Sequence, residues 1–500
     1  KAIDNVQWIP AWGRDRIYNM VADRSDWCIS RQRTWGVPIP IFYCQKCNKE
    51  IINDQTISHI QKLFAEHGSD VWFAREAREL IPEGLTCPEC GATEFRKETD
   101  IMDVWFDSGS SHLAVLEQRP ELHWPADLYL EGSDQHRGWF NSSLSTSVAV
   151  RGVAPYKAVL THGFLVDEKG RKMSKSAGNG IDPLDVIKQM GADILRLWVS
   201  SADYRSDIAA SPNILKQIAE AYRKIRNTYR YLLGNLYDFD PVKDKVAYQD
   251  MPEIDKWALL KLQKLIKKVT DAYENYEFHV VYHSIHNFCS VEMSAIYLDI
   301  IKDRVYTERS DSLLRRSAQT VSLEVLTALV KMLVPILTFT TEEIWQYLPL
   351  KDKTITVQIA GWPEYHAEYL DEELEQKWER ILAVRDFVAK PLEEARRNKI
   401  IGHSLDAKVD IFASSEWLPF LQDIVQDLAT YFITSTVEIH PAEEAPAEAY
   451  RNEELPGLAV TVAKAPGQKC ERCWIYSETV GESPEHPTLC KRCDTVIKSL

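Results

Sequence analysis

The sequence lacks any apolar run long enough to cross a bilayer. Its longest nearly apolar stretch, 326–339, has 14 residues and includes Lys331, whereas a spanning helix needs about 20. The sequence also shows no secretory signal, since neither an apolar h-region nor a cleavage site follows Lys1. We therefore expect a cytoplasmic protein with no membrane partner. The absence of an initial Met predicts a fragment of a longer chain.

An excess of positive charge is also missing, because 59 Lys and Arg face 74 Asp and Glu, which gives a net charge of −15. A dedicated DNA-binding module would normally be basic. The composition therefore excludes indiscriminate coating of nucleic acid but leaves room for RNA on local basic faces. Internal repeats of 20–50 residues are absent, which argues against a solenoid. What is present is a 500-residue chain with 45% hydrophobic residues, which predicts about three globular domains.

Cysteine spacing carries the first chemical signal. Eight of the ten cysteines form C-x-x-C doublets, paired across inserts of 39 and 16 residues. Two such doublets across a short insert predict a four-thiolate zinc site. A disulfide framework or free thiols are the alternatives, and a reducing compartment disfavours disulfides. Cys28 and Cys289 stand alone and are predicted to be core residues. The two predicted zinc sets are Cys44, Cys47, Cys87 and Cys90, and Cys470, Cys473, Cys490 and Cys493.

The first part of the chain reads as α/β. Short apolar strands at 127–130 and 158–160 alternate with Gly-rich turns and helices, which predicts a parallel sheet over residues 1–210. The first zinc set forms an insertion at 41–99. We expect residues 401–465 to form a small mixed domain with strands near 407–412 and 434–439. Residues 466–500 then form a zinc ribbon.

The middle part, 211–400, is predicted to be an all-α bundle. Ile214, Ile218, Tyr222 and Ile225 recur at spacings of three and four, as on one face of a helix. Ser211-Pro212 provides an N-cap followed by Pro at the first helical position. Similar stripes fill 254–275, 278–302, 313–348 and 371–397. The first two helices carry many basic residues, which could meet phosphates or be solvated faces.

The sharpest signal is the loop 170–179, which places Arg171, Lys172 and Lys175 within five residues. A Gly- and Ser-rich loop of this kind can fold over a triphosphate and stabilise charge on its oxygens. It does not match the G-x-x-x-x-G-K-[ST] phosphate loop. A random basic loop is the alternative. The ordered run Lys-Met-Ser-Lys-Ser, between an apolar segment at 158–166 and a predicted helix at 183–198, favours function.

The run 172–176 resembles the second signature of class I aminoacyl-tRNA synthetases. Blocks at 26–36, 103–110 and 131–140, together with the closing Cys-Glu-Arg-Cys-Trp at 470–474, resemble bacterial isoleucyl-tRNA synthetases over essentially all 500 residues. The resemblance implies part of a Rossmann-type catalytic domain, then an anticodon-binding helical domain, then a zinc ribbon that helps to hold tRNA. It also implies that the chain corresponds to the second half of such an enzyme.

That family attaches isoleucine to tRNA(Ile) through an isoleucyl-adenylate, using ATP with Mg²⁺, and the resemblance implies the same partners for a monomeric protein here. Trp105 and Trp139 match positions that line the isoleucine side-chain pocket. The predicted adenylate contacts are Glu131, Gly132, Asp134 and Gln135. The predicted ATP contacts are Lys175, Lys172, Met173, Ser174 and Ser176, with the two lysines in the catalytic role.

Several alternatives stay open at this point. Without the family, the two Trp residues could be ordinary core, and the stripe His279, His283 and His286 reads as a helix face rather than as metal ligands. The substrate could be valine or leucine, or the chain could be a non-catalytic zinc and RNA-binding protein. The family's His-x-Gly-His motif and most of its editing domain are absent from these 500 residues. We therefore expect little or no isoleucine activation by this chain alone.

Overall fold

The computed structural model describes residues 1–24, 26–173, 176 and 178–499. These residues divide into two compact units, one formed by 1–173 with 204–209 and the other by 174–203 with 210–500. No helix within the described residues is both long and apolar enough to cross a membrane.

The first unit is built on a parallel three-stranded sheet, as the sequence predicts. Its strand order is Gln7–Ile9, Tyr156–His162, Ala126–Gly132, and the register pairs Gly132 with His162 at the carboxyl ends. Large side chains such as Trp8, Ile17, Phe140 and Tyr156 form the core between this sheet and its helices. The helices are Trp12–Ala22, Val104–Gly109 and Trp139–Arg151, and His112–Leu116 is a π-helix. Shorter strands are Ser30–Arg31, Ile101–Met102, Leu165–Val166 and Ile208–Ala209.

The insertion at 41–99 has a core of its own. Three short antiparallel strands, Glu50–Ile51, Phe42–Cys44 and Phe95–Lys97, lie side by side. The fully buried ring of Trp72 packs against Phe42, with ring centroids 5.1 Å apart. The helices are Asp54–His67, Val71–Ala74 and Ala77–Leu80. An independent core explains how this segment can hold its cysteines in place.

Amphipathic helices make up most of the second unit. The predicted helix start at Ser211-Pro212 is confirmed. The side chain of Ser211 accepts a hydrogen bond from the N–H of Ile214, and Pro212 is the first helical residue. The predicted helix at 183–198 is instead two helices, because Gly191 adopts φ 91° between them. The stripe at 278–302 passes through a π-helical segment, Phe288–Tyr297. The main helices are Pro183–Met190, Ala192–Ser201, Pro212–Gly234, Glu253–Glu274, Phe278–Asn287, Leu298–Ile300, Lys302–Thr307, Leu313–Leu333, Thr338–Tyr347 and Glu372–Arg397.

The remaining part of this unit is a small mixed domain and a finger. The strand Ala407–Ala413 lies between a parallel partner, Thr436–Pro441, and an antiparallel partner, Leu458–Lys464. Alternate residues Val409 and Ile411 are fully buried, as expected for a strand with one covered face. The helices are Leu418–Asp423, Val425–Phe432 and Lys491–Lys498, and the finger strands are Gln468–Lys469 and Tyr476–Ser477.

A buried carboxylate ties the helix Ala192–Ser201 to the bundle. Asp193, only 7% exposed, accepts hydrogen bonds from the backbone N–H and the hydroxyl of Thr340, at 2.8 and 2.6 Å. Thr340 lies in the first turn of the helix Thr338–Tyr347, where unpaired N–H groups favour a negative charge. This contact helps to hold the helix Ala192–Ser201 within the second unit.

Candidate active site and metal centres

The candidate active site lies at the carboxyl ends of the parallel strands, where open α/β sheets usually bind ligands. Glu131 and Gly132 end the strand Ala126–Gly132, and the 3₁₀ turn Ser133–His136 follows directly. The carboxylate of Asp134 packs close to the bare backbone of Gly132, since a Cβ there would lie 2.7 Å from its Oδ1. Glu131 and Asp134 are both exposed at this carboxyl end of the strand.

Gln135 holds the entrance of the next helix. Its Oε1 accepts a hydrogen bond from the backbone N–H of Trp139 at 3.0 Å, and its Nε2 donates to Oδ2 of Asp134 at 3.0 Å. A Cβ on Gly138 would lie 2.6 Å from Oε1 of Gln135 and 2.7 Å from the ring of Trp105. The structure thus brings Trp105 to Gly138, which directly precedes Trp139 in the chain.

The two indoles are held differently. Trp139 stacks on Tyr129, with ring centroids 4.0 Å apart and planes 9° apart, and its Nε1 donates to the carbonyl oxygen of Ser108 at 3.0 Å. Trp105 is 41% exposed and projects from a helix whose N-cap, Asp103, accepts from the Trp105 N–H. Trp139 is thus held against the core of the first unit, whereas the Trp105 ring stays accessible to an apolar ligand. The reading of both as ordinary core residues is wrong for Trp105.

Sequence reasoning missed Tyr129, Gly138 and Phe164 as members of this site. Phe164 follows the strand Tyr156–His162 and lies 3.8 Å from the position that a Cβ on Gly132 would occupy. The ammonium of Lys172 lies 4.0 Å from the centre of the same ring, a cation–π distance. The sequence gives one signal for Tyr129. It follows Leu128 in a predicted strand, where neighbouring side chains point to opposite faces, so it could have been placed on the covered face.

The loop 170–179 is described only in part. Asp167 supports its first half, since its carboxylate pairs with Arg171 at 2.8 Å. The N–H of Met173 donates to the carbonyl oxygen of Leu165 at 3.1 Å, so Lys172 and Met173 end a short hairpin. Ser176 lies in a turn. The predicted ATP contacts Ser174 and Lys175 lie outside the described residues.

Both predicted cysteine sets are brought together. In each set the four sulfur atoms lie within 4.8 Å of one another. The Sγ atoms of Cys44 and Cys90 are 3.5 Å apart, as are those of Cys47 and Cys87, and those of Cys473 and Cys490 are 3.8 Å apart. Tetrahedral zinc with Zn–S bonds near 2.3 Å would place sulfurs about 3.8 Å apart, so both sets fit zinc.

Three of the four doublets share one turn. In each, the N–H of the first cysteine donates to the carbonyl oxygen five residues later. The residue four positions after that cysteine has positive φ: 59° at Asn48, 69° at Gly91 and 65° at Trp474. The fourth doublet begins at Cys490, which is the N-cap of the helix Lys491–Lys498. This repeated backbone aims both sulfurs of a doublet toward one point.

The two cysteines outside the doublets, Cys28 and Cys289, differ in burial. Cys289 is fully buried, as predicted, but Cys28 is exposed, so its prediction as a core residue is wrong. Asp410, Glu438 and His440 form a third group with metal-ligand atoms close together. Lys408 already lies 3.4 Å from Asp410 and 2.7 Å from Glu438, which makes this group an ion-pair network on the sheet surface.

Comparison with known protein families agrees with this geometry. Residues 1–211 match the model for class I tRNA synthetases (I, L, M and V), and residues 255–411 match the anticodon-binding domain of tRNA ligase. Residues 467–496 match the zinc finger found in FPG and IleRS. The chain therefore belongs to the class I aminoacyl-tRNA synthetases.

Comparison with individual proteins points to one synthetase within this class. The chain is 68% identical to the isoleucine--tRNA ligase of Moorella thermoacetica and 65% identical to that of Desulforamulus reducens, in each case over 100% of this chain and 54% of the relative. The chain thus spans about half the length of the curated relatives it matches. The LeuRS of Agrobacterium radiobacter K84, solved as a ternary complex with tRNA and LeuAMS, shares the fold. It is 21% identical with a TM-score of 0.51, over 69% of this chain and 43% of that one.

Proposed function

We propose that this chain serves the ATP-dependent attachment of isoleucine to its tRNA through an isoleucyl-adenylate. The observation that carries the proposal is the approach of Trp105 and Gln135 to Gly138, with Gln135 also accepting from the backbone N–H of Trp139. This arrangement lies in a chain that is 68% identical to an isoleucine--tRNA ligase. The apolar faces of indole rings suit contact with an aliphatic side chain. Exposed Glu131 and Asp134 provide acceptors for an amino group or for ribose hydroxyls.

The reaction has two transfers. The carboxylate of isoleucine attacks the α-phosphorus of ATP, and the bond from that phosphorus to pyrophosphate breaks. A ribose hydroxyl of the terminal tRNA adenosine, the 2′-OH in this class, then attacks the carbonyl carbon, loses its proton and releases AMP. No covalent intermediate with the protein is needed, so positioning and charge stabilisation carry the rate. Mg²⁺ bound with ATP would neutralise part of the phosphate charge. We assign Lys172 and Lys175 to the departing phosphates, and Met173, Ser174 and Ser176 to the same loop.

We further propose that both cysteine sets hold structural zinc, because four thiolates leave no open position for substrate. The helical domain 255–411 would contact the tRNA anticodon region, and the finger would support that contact. We propose that the protein works as a monomer, which light scattering can test. These roles extend the resemblance to particular residues of this chain.

Isoleucine-dependent exchange of pyrophosphate into ATP tests the proposal. The protein should be assayed at the length of its curated relatives, with valine and leucine as competitors. We expect isoleucine to be activated best, although an apolar pocket separates isoleucine from valine by only about 150-fold, a figure the isoleucine enzyme itself illustrates. Lys175→Ala should slow exchange by about 10²–10³. Equal activation of leucine, or no effect of Lys175→Ala, would contradict the proposal.

The same assay on the 500-residue chain tests whether it acts alone. We expect exchange to be very slow, because the phosphate-binding histidines of the family are absent from this sequence. Exchange at the rate of the longer protein would show that these residues suffice.

A further inference from the structure

The two cysteine sets differ in their access to solvent. All four cysteines of the finger are buried. In the insertion 41–99, Cys44 and Cys87 are buried, but Cys90 is partly exposed and Cys47 is exposed. A small solute such as a peroxide therefore has access to the first set through Cys47, whereas the finger covers each of its cysteines.

The sulfurs of the finger also have cations beside them. Arg472 and Arg492 each lie inside a doublet, and both are fixed by the helix Lys302–Thr307. Arg492 interacts electrostatically with the sulfurs of Cys473 and Cys493. Cations beside a thiolate hold its negative charge and so weaken it as a nucleophile.

The doublets of the insertion contain no such arginine. Their inner residues are Gln45-Lys46 in the first and Pro88-Glu89 in the second. Lys49 follows Cys47 by two positions, but its ammonium lies 3.1 Å from a carboxylate oxygen of Glu50 and 3.6 Å from one of Glu89. The thiolates of the first set are therefore less compensated in charge than those of the finger.

A second sulfur lies beside the exposed one. Sγ of Cys47 is 3.5 Å from Sγ of Cys87. Cysteines that respond to oxidants are typically accessible thiolates next to a cysteine that can complete a disulfide. Zinc holds its cysteine ligands as thiolates, so the first set meets each of these conditions.

The insertion also has a core that does not consist of its cysteines. Phe42, Ile60, Trp72 and Leu80 are buried in one cluster with the two buried sulfurs. The core of the finger, in contrast, consists largely of its cysteines with Val480. Loss of the metal should therefore disturb the insertion only locally and leave a scaffold on which reduced cysteines can bind zinc again.

We propose that the first cysteine set is a reversible oxidation site, at which peroxide oxidises Cys47 and the set gives up its zinc, while the finger keeps its own. This inference rests on the proposed zinc content of the chain. It gives the two sets different roles, because the finger remains a structural centre under conditions that open the set in the insertion.

The reaction takes two steps. The thiolate of Cys47 attacks one oxygen of hydrogen peroxide, the O–O bond breaks, and a sulfenic acid and hydroxide form. The thiolate of Cys87 then attacks the sulfur of that sulfenic acid, displaces a second hydroxide and forms a disulfide. Two thiolates thus lose two electrons, and peroxide is reduced to two hydroxide ions. The two cysteines that remain are too few to hold zinc in a four-thiolate site.

Hydrogen peroxide added to the zinc-loaded protein tests the inference. Zinc content is measured first and should be two ions per chain, one for each set. A chromogenic chelator then follows zinc release, and mass spectrometry after alkylation identifies the oxidised cysteines. We expect one ion to leave about tenfold faster than the other, or faster still, because susceptibility follows exposure. A Cys47–Cys87 disulfide should form at the same rate, and a dithiol with added zinc should restore two ions.

Cys47→His separates the metal from the oxidation. Histidine keeps a zinc ligand at this position, since three thiolates and one imidazole also form a structural site, but it removes the accessible sulfur. We expect two bound ions and loss of the fast release. Cys473→His makes the same exchange in the finger and should leave the fast release in place. Cys28→Ser, which removes an exposed thiol outside both sets, should also leave it unchanged.

Release of both ions at one rate would overturn the inference, as would fast release that persists in C47H or zinc loss that reduction does not reverse. If C47H fails to bind zinc at this set, the unsubstituted protein decides, and fast release without a disulfide in the first set overturns the inference. A zinc content below two before peroxide would overturn the zinc assignment as well. Isoleucine-dependent pyrophosphate exchange involves no oxidant, so its failure is distinguishable from a failure here.

Discussion

Asp303 accepts two hydrogen bonds from the guanidinium of Arg492, at 2.5 and 2.8 Å. Arg492 lies inside the last C-x-x-C doublet, and Asp303 lies on the bundle helix Lys302–Thr307. Nη1 of Arg472, inside the preceding doublet, donates to the carbonyl oxygen of Thr307 at 2.5 Å. Burial opposes the charge of Arg492, but Asp303 outweighs it and raises the pKa of the guanidinium. Both doublets of the finger thus use an arginine to hold one short helix of the bundle.

Arg492→Lys should loosen the finger without releasing its metal. Lysine keeps the charge but loses the fork that makes two parallel bonds to a carboxylate. Because both side chains are about one-third exposed or more, we expect a loss of only about 1 kcal/mol. Hydrogen exchange in 467–499 should therefore rise about fivefold. Lys491→Ala, a change in the same doublet, should leave exchange unaltered. Equal protection in both variants would show that the contact does not hold the finger.

Zinc content per chain should follow the two cysteine sets. The intact chain should bind two ions, and Cys473→Ser should bind one, since each set offers four sulfurs. Cys28→Ser should still bind two, because Cys28 is exposed and belongs to neither set. Elemental analysis after dialysis checks these values. A value that stays at two in Cys473→Ser would refute the assignment of this set.

Chelation should unfold the finger but not the bundle. Zinc binding to such small domains supplies much of their folding free energy, and the core of the finger consists largely of its cysteines, with Val480. The helix Leu313–Leu333 instead has fully buried aliphatic residues such as Val325 and Leu329. We expect hydrogen exchange to rise in 467–499 after chelation and to stay unchanged in that helix. A joint rise would show that the metal supports the whole unit.

Local patterns in the sequence predicted much of this architecture. Spacings of three and four residues predicted the helices, and the doublets predicted both clusters of four cysteines, because these features depend on residues close together in the chain. The break at Gly191 was missed, since an apolar stripe continues across it on both sides. A helical pattern alone cannot reveal a change of direction that depends on one backbone angle.

Contacts between residues far apart in the chain could not be predicted from the sequence. Arg492 and Asp303 are 189 positions apart, and nothing near Arg492 distinguishes docking to a helix from contact with RNA. The candidate site shows the same division. The block 131–140 was found as a motif, but Tyr129 against Trp139 and Phe164 against Lys172 follow only from the packing of strands and helices. Which side chains contact a motif therefore depends on packing between segments that are distant in the sequence.

Gly138→Ala should impair recognition of the amino acid. An added Cβ would lie 2.7 Å from the ring of Trp105 and 2.6 Å from Oε1 of Gln135, so at least one of these groups must move. A displacement of about 1 Å at a substrate-positioning group can cost about 10²-fold. We expect the KM for isoleucine in pyrophosphate exchange to rise at least about tenfold, with a smaller change in the KM for ATP. Gly234→Ala is the control, because a Cβ at Gly234 would meet nothing within 4 Å. It should leave both KM values unchanged.

The first unit should lose stability in mild acid through His136. Its ring is fully buried between Trp12 and Phe140, with centroids 5.4 and 5.3 Å away. Burial lowers the pKa of His136 to about 4, and nearby Arg16 acts in the same direction. The neutral ring is therefore the folded form. Between pH 6.5 and 4 the unfolded chain binds more protons than the folded one, so the free energy of unfolding falls as the pH falls.

The expected loss from this group is about 2 kcal/mol between pH 7 and pH 5. Hydrogen exchange of the strands Ala126–Gly132 and Tyr156–His162 at both pH values, corrected for intrinsic rates, measures it. His136→Gln should remove most of this pH dependence, because glutamine does not titrate in this range. His123→Gln changes an exposed histidine that lies 3.0 Å from Asp127, and it should leave most of the dependence in place. If His136→Gln keeps the wild-type dependence, another group is responsible, and the burial of this imidazole does not set the acid limit of the unit.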